Sequence, residues 1–305
     1  MYRPPATGPA LPLGAVACLM GAMTLTGLYV GLSKQLLLAF PLFVLAGLRF
    51  AIAALAMLPW LRAPRPVERL GGRDRVVLFL GSFLGNFLFT LCMLGGVQAA
   101  GALAAGVAMA SIPAAVALLS WAVLGETLQR RTLLAIACAM AGMGLLALGR
   151  GTEAQAGAGA PLWAYALLMG AVLCEAAYVV IGKHLGPRLG VRQLAARINL
   201  WGLVLMAPLA LWQAQQLDFA PGAVRVLDWA WLVFYALAAS MVSVWLWLKG
   251  LERVPASRAG VFTVLLPLTS AAVAVLWLGE PAGPLHAVAL GLALLGVWLA
   301  TRPSA

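Results

Sequence analysis

Glu175 is the residue of this chain best placed to do chemistry, because its carboxylate lies in the middle of a long apolar segment. A charged side chain at mid-membrane costs about 2.5–3.5 kcal/mol on insertion scales, so this carboxylate should face a wet cavity, hold a proton or pair with a cation. Tyr178 follows about one helical turn later and shares roughly the same face. Both are therefore candidate substrate-binding residues, and Glu175 is also the candidate for proton coupling. The alternative is a structural, hydrogen-bonded glutamate between helices.

Two arginines interrupt other apolar segments. Arg49 and Arg197 occupy corresponding positions in the two halves of the sequence. An arginine does not lose its proton, so each must reach an interface, pair with an anion or bind carbonyl groups. Attraction of a substrate carboxylate would be a functional role, and anchoring of the two helices would be a structural one. We favour the structural role for both charges, because Arg197 lies close to a predicted cytoplasmic end.

Neutral polar side chains form short faces on two further predicted helices. Asn86 and Thr90 are four residues apart, and Ser240 and Ser243 are three apart, so each pair shares a helical face. Asn86 corresponds to Ser240 when the halves are aligned at an offset of 154 residues. We predict that these side chains bind substrate from opposite sides of one cavity. The alternative is that they join helices through hydrogen bonds worth about 0.6 kcal/mol each.

Prolines and glutamates recur at the same offset. Pro113 and Pro267 fall near the middle of two predicted helices, where each removes a backbone donor and bends the helix. We predict that both are hinges, and static kinks are the alternative. Glu126 and Glu280 end the same two helices, and we predict structural caps for the N–H groups that begin the fifth and the tenth helix.

The composition requires these residues to be positioned by membrane helices. Of 305 residues, 64% are hydrophobic and only 10% are charged, whereas about a quarter of ordinary soluble sequence is charged. A bilayer core of about 30 Å takes roughly 20 helical residues. The sequence therefore predicts an all-α integral membrane protein with ten transmembrane helices, at residues 11–32, 40–61, 76–97, 102–124, 132–149, 162–182, 194–212, 229–248, 258–278 and 285–301.

The net charge of +11 follows the predicted topology. Alternate connections place fifteen lysines and arginines on one side and only three, Lys34, Arg150 and Arg225, on the other. This is the positive-inside pattern, so both termini are predicted to be cytoplasmic in a multi-pass protein of the inner membrane. The basic character is thereby explained, and no nucleic-acid partner is expected.

The sequence repeats itself. The third and fourth predicted helices share proline and Gly-Glu positions with the eighth and ninth, and residues 20–34 align with residues 169–183 at an offset of 149. We predict one membrane domain with a first repeat at 11–149, a linker at 150–160 and a second repeat at 161–302. Five helices per repeat is an odd number, so the second repeat enters from the opposite side and the 5+5 repeat is inverted.

These features resemble the EamA family of the drug/metabolite transporter superfamily. The resemblance covers nearly the whole chain and depends on the 5+5 repeat, on the segments Leu48-Arg49-Phe50 and Ala196-Arg197-Ile198, and on the spacing from proline to Gly-Glu. It implies export of metabolites such as amino acids or amphipathic compounds through a central cavity. An uptake carrier of the same fold is the alternative, and a scaffold or intramembrane enzyme is a remote one.

Catalysis and bound cofactors are not expected. The sequence contains no GxxxxGK[ST], HExxH or GxSxG motif. Its four cysteines lie within predicted spans and its two histidines are far apart, so neither a catalytic nor a metal site is predicted. The expected partners are a small-molecule substrate and the bilayer. Proton coupling and uniport both remain open, as do a monomer and a homodimer.

Overall fold

The computed structural model describes residues 12–61, 71–124, 130–154, 160–189, 191–215, 224–251, 253, 262–263 and 265–301. Over these residues the regular structure is helical, which confirms the all-α prediction. The helices are α1 (Leu13–Ala39), α2 (Leu42–Leu61), α3 (Gly72–Ser82), α4 (Phe89–Met109), α5 (Ile112–Leu124), α6 (Arg130–Ala154), α7 (Leu162–Leu189), α8 (Val191–Ala214), α9 (Val226–Leu237), α10 (Ser243–Leu251), α11 (Leu265–Ala272) and α12 (Pro284–Thr301).

Much of the described chain is suited to a bilayer. Six stretches are both long and apolar enough to cross it: Leu13–Ala39, Leu42–Leu61, Gly72–Met109, Leu162–Ile181, Arg192–Ala214 and Val226–Trp247. Three shorter apolar helices lie at Leu133–Leu146, Leu265–Trp277 and Pro284–Leu299. The protein is a multi-pass membrane protein, while the count of ten crossings, the inverted repeat and the orientation of the termini remain predictions.

The core lies between the two halves of the chain. The most extensive contacts join a helix that precedes residue 155 to one that follows it: α2 packs on α8, α6 on α12, α4 on α7, and α1 on both α10 and α11. Glycines permit these close approaches. A Cβ atom added at Gly96 would lie 2.5 Å from Leu168, and one added at Gly47 would lie 2.5 Å from Ala210. Side chains that meet at this core therefore come from distant parts of the sequence.

The connection between the predicted spans 76–97 and 102–124 is formed at Gly101. Gly95 and Gly96 lie inside α4, where Gly96 packs on Leu168. Gly101 has φ 86° and ψ 168°, a left-handed conformation that glycine adopts without the steric penalty of a Cβ atom. The helix is therefore interrupted at Gly101, and a new helical segment begins at Ala102.

Both prolines expected to be hinges occur in the first turn of a helix. α4 ends at Met109, Ala110 and Ser111 form a turn, and α5 begins at Ile112 with Pro113 next. Pro267 is the third residue of α11. Proline is tolerated in a first turn because its missing N–H would have no helical partner there. Helical structure is therefore interrupted just before Pro113, whereas a simple kink would leave one continuous, bent helix.

Three π-helical turns, which the sequence did not predict, interrupt the apolar helices. They lie at Phe83–Leu88 between α3 and α4, at Ala238–Val242 between α9 and α10, and at Val273–Trp277 after α11. The first two occupy corresponding positions in the two halves. Such turns are rare and occur frequently at functional sites. These two contain Asn86 and Ser240, the corresponding residues that the sequence predicts to bind substrate.

Candidate functional site

The guanidinium of Arg49 is the charged centre of the helical core. Arg49 lies near the middle of α2 and is only 6% exposed. Its Nε donates a hydrogen bond to Ser240 Oγ at 3.3 Å, and its Nη1 donates one to Thr90 Oγ1 at 3.2 Å. Thr90 belongs to the first half of the chain and Ser240 to the second. The arginine therefore joins the two halves through neutral hydroxyl groups.

Aromatic rings complete the surroundings of this cation. The Arg49 guanidinium carbon lies 4.9 Å from the centre of the Phe50 ring and 5.7 Å from that of Tyr235. Tyr235 in turn makes an edge contact with Tyr29, with ring centres 5.9 Å apart. Ring faces attract cations electrostatically. Among the described residues, no carboxylate lies within 4 Å of the guanidinium, so hydroxyl groups and ring faces are its direct contacts.

Glu175 lies on α7 close to this centre. Its side chain is half-buried, and its carboxylate interacts electrostatically with Arg49, Tyr29 and Tyr178. It forms no ion pair with a described side chain. The core therefore holds a cation and a carboxylate near each other without direct contact, so a ligand carrying both charges would complement the two groups.

A small cavity adjoins Arg49. Its volume is about 10 Å³, which is room for about one water molecule. Arg49 and Thr90 line it, whereas Glu175, Asn86, Ser240, Ser243 and Tyr178 do not. The other lining residues are Tyr29, Val30, Ser33, Phe89, Met93, Leu94 and Tyr235. The structure therefore shows a closed centre, with no room for a molecule much larger than water.

The remaining polar residues that the sequence singles out are dispersed around this centre. Asn86 is half-buried in the first π-helical turn, and Ser243 is buried and donates to the Ala239 carbonyl at 3.4 Å. Tyr178 packs its ring against the backbone of Gly85, where an added Cβ would lie 2.5 Å from the ring. Of the predicted substrate-binding residues, only Thr90 and Ser240 contact Arg49 through hydrogen bonds.

Arg197 has surroundings different from those of Arg49. Its side chain is half-buried on α8, whereas that of Arg49 is buried on α2. The equivalence suggested by the sequence therefore does not extend to the burial of the two side chains. Sequence reasoning also missed Tyr235 and Ser33 as neighbours of the centre. No motif marks either residue, and only helix packing brings them to Arg49.

Glu280 caps a helix other than the one predicted. Its Oε1 accepts a hydrogen bond from the Ala102 N–H at 2.8 Å, and its Oε2 accepts one from the Leu103 N–H at 2.9 Å. The cap therefore serves the segment that begins after Gly101, instead of the tenth helix. The cause is that Glu280 packs against the other half of the chain. Its counterpart Glu126 lies outside the described residues.

A larger groove lies between α2 and α8 but offers no polar side chain. It has a volume of about 240 Å³. Its lining consists of Ala51, Ala54, Leu55, Met57, Leu58, Leu61, Ala196, Leu200 and Leu203. Such a surface suits lipid chains and does not complement a charged metabolite, so the Arg49 centre is the candidate substrate site.

Comparison with known proteins places the chain in a transporter family. The sequence model of the EamA-like transporter family matches residues 13–148 and again residues 162–302. The chain is 30% identical over 288 residues to the uncharacterized transporter YetK of Bacillus subtilis (strain 168), an alignment that covers 94% of this chain and 86% of that protein. It is 27% identical to the uncharacterized transporter YwfM of the same organism, over 63% of this chain and 61% of that protein.

A solved structure shares the fold. It is described only as the crystal structure of a protein, with a TM-score of 0.62 and 18% sequence identity, over 94% of this chain and 95% of that chain. At this identity the likeness shows the fold alone. The matches to the family model and to the Bacillus proteins go further, and with the apolar helices they establish that this chain belongs to the EamA-like transporter family and is a membrane transporter.

Proposed function

We propose that the protein is a secondary carrier that exports small organic metabolites, amino acids or related amphipathic compounds, by alternating access between two inverted halves. The observation that carries this proposal is the buried Arg49 guanidinium, which has no carboxylate within 4 Å among the described residues and lies near the half-buried Glu175. A charge buried without a counterion is costly unless a ligand completes it.

The arrangement supports a zwitterionic substrate. Its carboxylate would bind the fork of N–H donors on Arg49, and its amine would bind Glu175. The rings of Tyr29, Tyr235 and Phe50 would contact the apolar part of the substrate. Thr90 and Ser240 orient the guanidinium through their hydroxyl groups. Each group thus has a role that a small amino acid could satisfy.

Access to this centre requires a change of shape. The adjoining cavity of about 10 Å³ is far too small for an amino acid. Arg49, Thr90 and Tyr29 precede the proposed linker, while Glu175, Tyr235 and Ser240 follow it. Rocking one half against the other would widen the space between these two sets. The two separate matches to the family model support two comparable halves.

The sequence supports transport without nucleotide hydrolysis. No nucleotide-binding loop is present in the chain, so transport would be driven by the substrate gradient or by a coupled ion. Glu175 is the proposed site of proton coupling, because other buried polar residues are less suited to carry a proton. Gln193 and Asn199 do not ionise. Asp74 and Asp228 lie in the first turns of α3 and α9, away from the helix centres. A uniporter would use Glu175 for binding alone.

Flux of labelled amino acids from proteoliposomes tests the proposal. Arg49→Lys should raise the substrate KM about tenfold or more, since one charge-assisted hydrogen bond contributes about 1.5–3 kcal/mol and a single ammonium cannot reproduce the two-pronged contact. Arg197→Lys is the matched control and should change the KM less than twofold. An unaltered KM for every carboxylate-bearing substrate in Arg49→Lys would contradict the assignment of the site.

A further inference from the structure

Glu280 holds together three groups from the opposite half of the chain. Its Oε1 accepts hydrogen bonds from Lys34 Nζ at 2.7 Å and from the Ala102 N–H at 2.8 Å. Its Oε2 accepts the Leu103 N–H at 2.9 Å. All three donors precede residue 150, while the acceptor follows residue 160. A single carboxylate therefore links α1 and the segment that begins at Ala102 to the end of the π-helical turn after α11.

Backbone N–H groups at the helix start form the binding site for this carboxylate. Gly101 has φ 86°, which ends one helical segment and exposes the first N–H groups of the next. The start of a helix carries a partial positive charge, and Lys34 adds a full one. The Glu280 side chain is only 8% exposed, whereas that of Lys34 is 34% exposed. An anion in this position is therefore strongly favoured, and Glu280 supplies it from the other half.

Glycine is required at position 101 for a second reason. A Cβ atom added at Gly101 would lie 3.0 Å from Oε1 and 3.1 Å from Oε2 of Glu280. On the other side of the contact, Gly279 has φ 64°, and the Glu280 N–H donates to the Ala274 carbonyl at 2.9 Å. The backbones on both sides thus fix the approach of the carboxylate.

The contact lies at one end of the predicted bundle. Lys34, Gly101 and Glu280 all fall in connections that the distribution of lysine and arginine assigns to the outer face. Arg49 lies near the middle of α2, and its adjoining cavity is closed. The structure therefore combines a closed centre with a closed link between the halves at the predicted outer end.

We propose that Glu280 is a gating residue: its carboxylate keeps the outer ends of the two halves together, and it must leave Lys34 and the Ala102 helix start each time the carrier opens outward. The proposal rests on the alternating access of the proposed function. Release is possible because every group involved is polar and can be hydrated at the outer face once separated. A permanent link between the halves would instead prevent outward opening.

Distance measurements between the outer ends test this gate without any substrate. Spin labels are placed at Leu38, which is 78% exposed, and at the exposed Ala282, in a full-length chain whose four cysteines are replaced by alanine. In nanodiscs, Glu280→Gln should increase at least fivefold the ratio of the population at the longer distance to the population at the shorter distance. Lys34→Met should change the ratio in the same direction and by less, because the backbone N–H groups remain bonded to the carboxylate.

Two further variants separate a gate at the helix start from a simple ion pair. Glu126→Gln is the matched control, since Glu126 is the counterpart of Glu280 at the predicted opposite face, and it should leave the outer distances unchanged. The exchanged pair Lys34→Glu with Glu280→Lys should not restore the shorter distance, because a lysine cannot accept the Ala102 and Leu103 N–H groups. Restoration of the shorter distance would show that an ion pair alone makes the contact, and it would overturn the role assigned to the N–H groups at the helix start.

The outcomes distinguish this proposal from the proposed function. If Glu280→Gln and Lys34→Met both keep the distance distribution of the parent protein, the gate is refuted, whatever the flux shows. If the distances lengthen while no amino acid is transported, the gate stands and the substrate assignment fails. If Glu280→Gln does not fold, Lys34→Met alone decides, since it preserves the helix cap.

Discussion

The side chains around Arg49 solve a problem of charge burial. A guanidinium at mid-membrane needs hydrogen-bond acceptors or an anion, and Arg49 obtains two hydroxyl groups and two ring faces. Its electrostatic partner Glu175 belongs to the other half of the chain and makes no ion pair with it. A direct ion pair would neutralise both charges and would lower the electrostatic free energy that a ligand could gain by binding there. The separation therefore favours binding of a molecule that carries both charges.

At this scale, Glu175→Gln should lower the flux of amine-bearing substrates at least tenfold, because the variant loses the negative charge that attracts the amine while keeping a similar volume. Any pH dependence that arises from protonation of Glu175 should disappear in the same variant. Asp228→Asn is the control: its carboxylate pairs with Arg225 in the first turn of α9, away from the Arg49 centre, so its flux should stay close to that of the parent. Normal flux with a normal pH profile in Glu175→Gln would remove both proposed roles of this residue.

The elements are interrupted where the two halves meet. Helical geometry breaks at Gly101 and at Ala110–Ser111, and π-helical turns lie at Phe83–Leu88 and Ala238–Val242. Each interruption frees backbone groups that need new partners in a membrane. At Gly101 the partner is Glu280. Interrupted helices therefore provide backbone N–H and C=O groups that would be hydrogen-bonded within a continuous helix.

Gly101→Ala should destabilise the protein by about 1–3 kcal/mol, because a residue with a Cβ is strained at positive φ with ψ near 180°, and the added atom would also lie 3.0 Å from the Glu280 carboxylate. Thermal unfolding in detergent followed by tryptophan fluorescence measures this as a lower Tm. Gly144→Ala is the matched control in α6, where an added Cβ meets nothing within 4 Å. Its Tm should be unchanged or higher, as alanine favours helix. Equal Tm values for the two variants would contradict the argument.

Pro113→Ala should slow exchange between the inward-open and outward-open states. Alanine restores an N–H group at the start of α5 and allows residues 110–113 to continue the α4 helix, which stiffens the break. Single-molecule fluorescence transfer across the outer ends would report the rate. Pro59→Ala, at the end of α2, should leave the rate unaltered. If Pro113→Ala exchanges as fast as the parent, the break is a static kink and not a hinge.

At the scale of the whole molecule, helices from the two halves are interleaved. α1 packs on α10 and α11, α2 on α8, and α4 on α7, so the core belongs to neither half alone. The centre at Arg49 and the contact at Glu280 both cross this boundary. Relative motion of the halves would therefore change the proposed substrate site and the contact at the predicted outer end together, which is the behaviour that alternating access requires.

The predicted topology can be tested on the intact chain in cells. A green fluorescent protein fused after residue 305 should fluoresce, because the C-terminus is predicted to be cytoplasmic, and alkaline phosphatase fused there should be inactive. Phosphatase inserted after residue 222, in a predicted outer connection, should be active. Active phosphatase at both sites would contradict the three crossings predicted between them, and the inverted repeat would have to be abandoned.

The amino-acid sequence by itself determined the class and family of this protein, because hydropathy and charge spacing act locally along the chain and a membrane sorts helices by these properties. It also located Glu175, Arg49 and Thr90, since a polar group within an apolar run is conspicuous at bilayer depth. Only the tertiary structure decided which of these groups meet. Arg49 reaches Ser240 across 191 positions, and Glu280 reaches Ala102 across 178. Such pairings depend on how helices pack, and the same packing buries Arg49 more deeply than its counterpart Arg197.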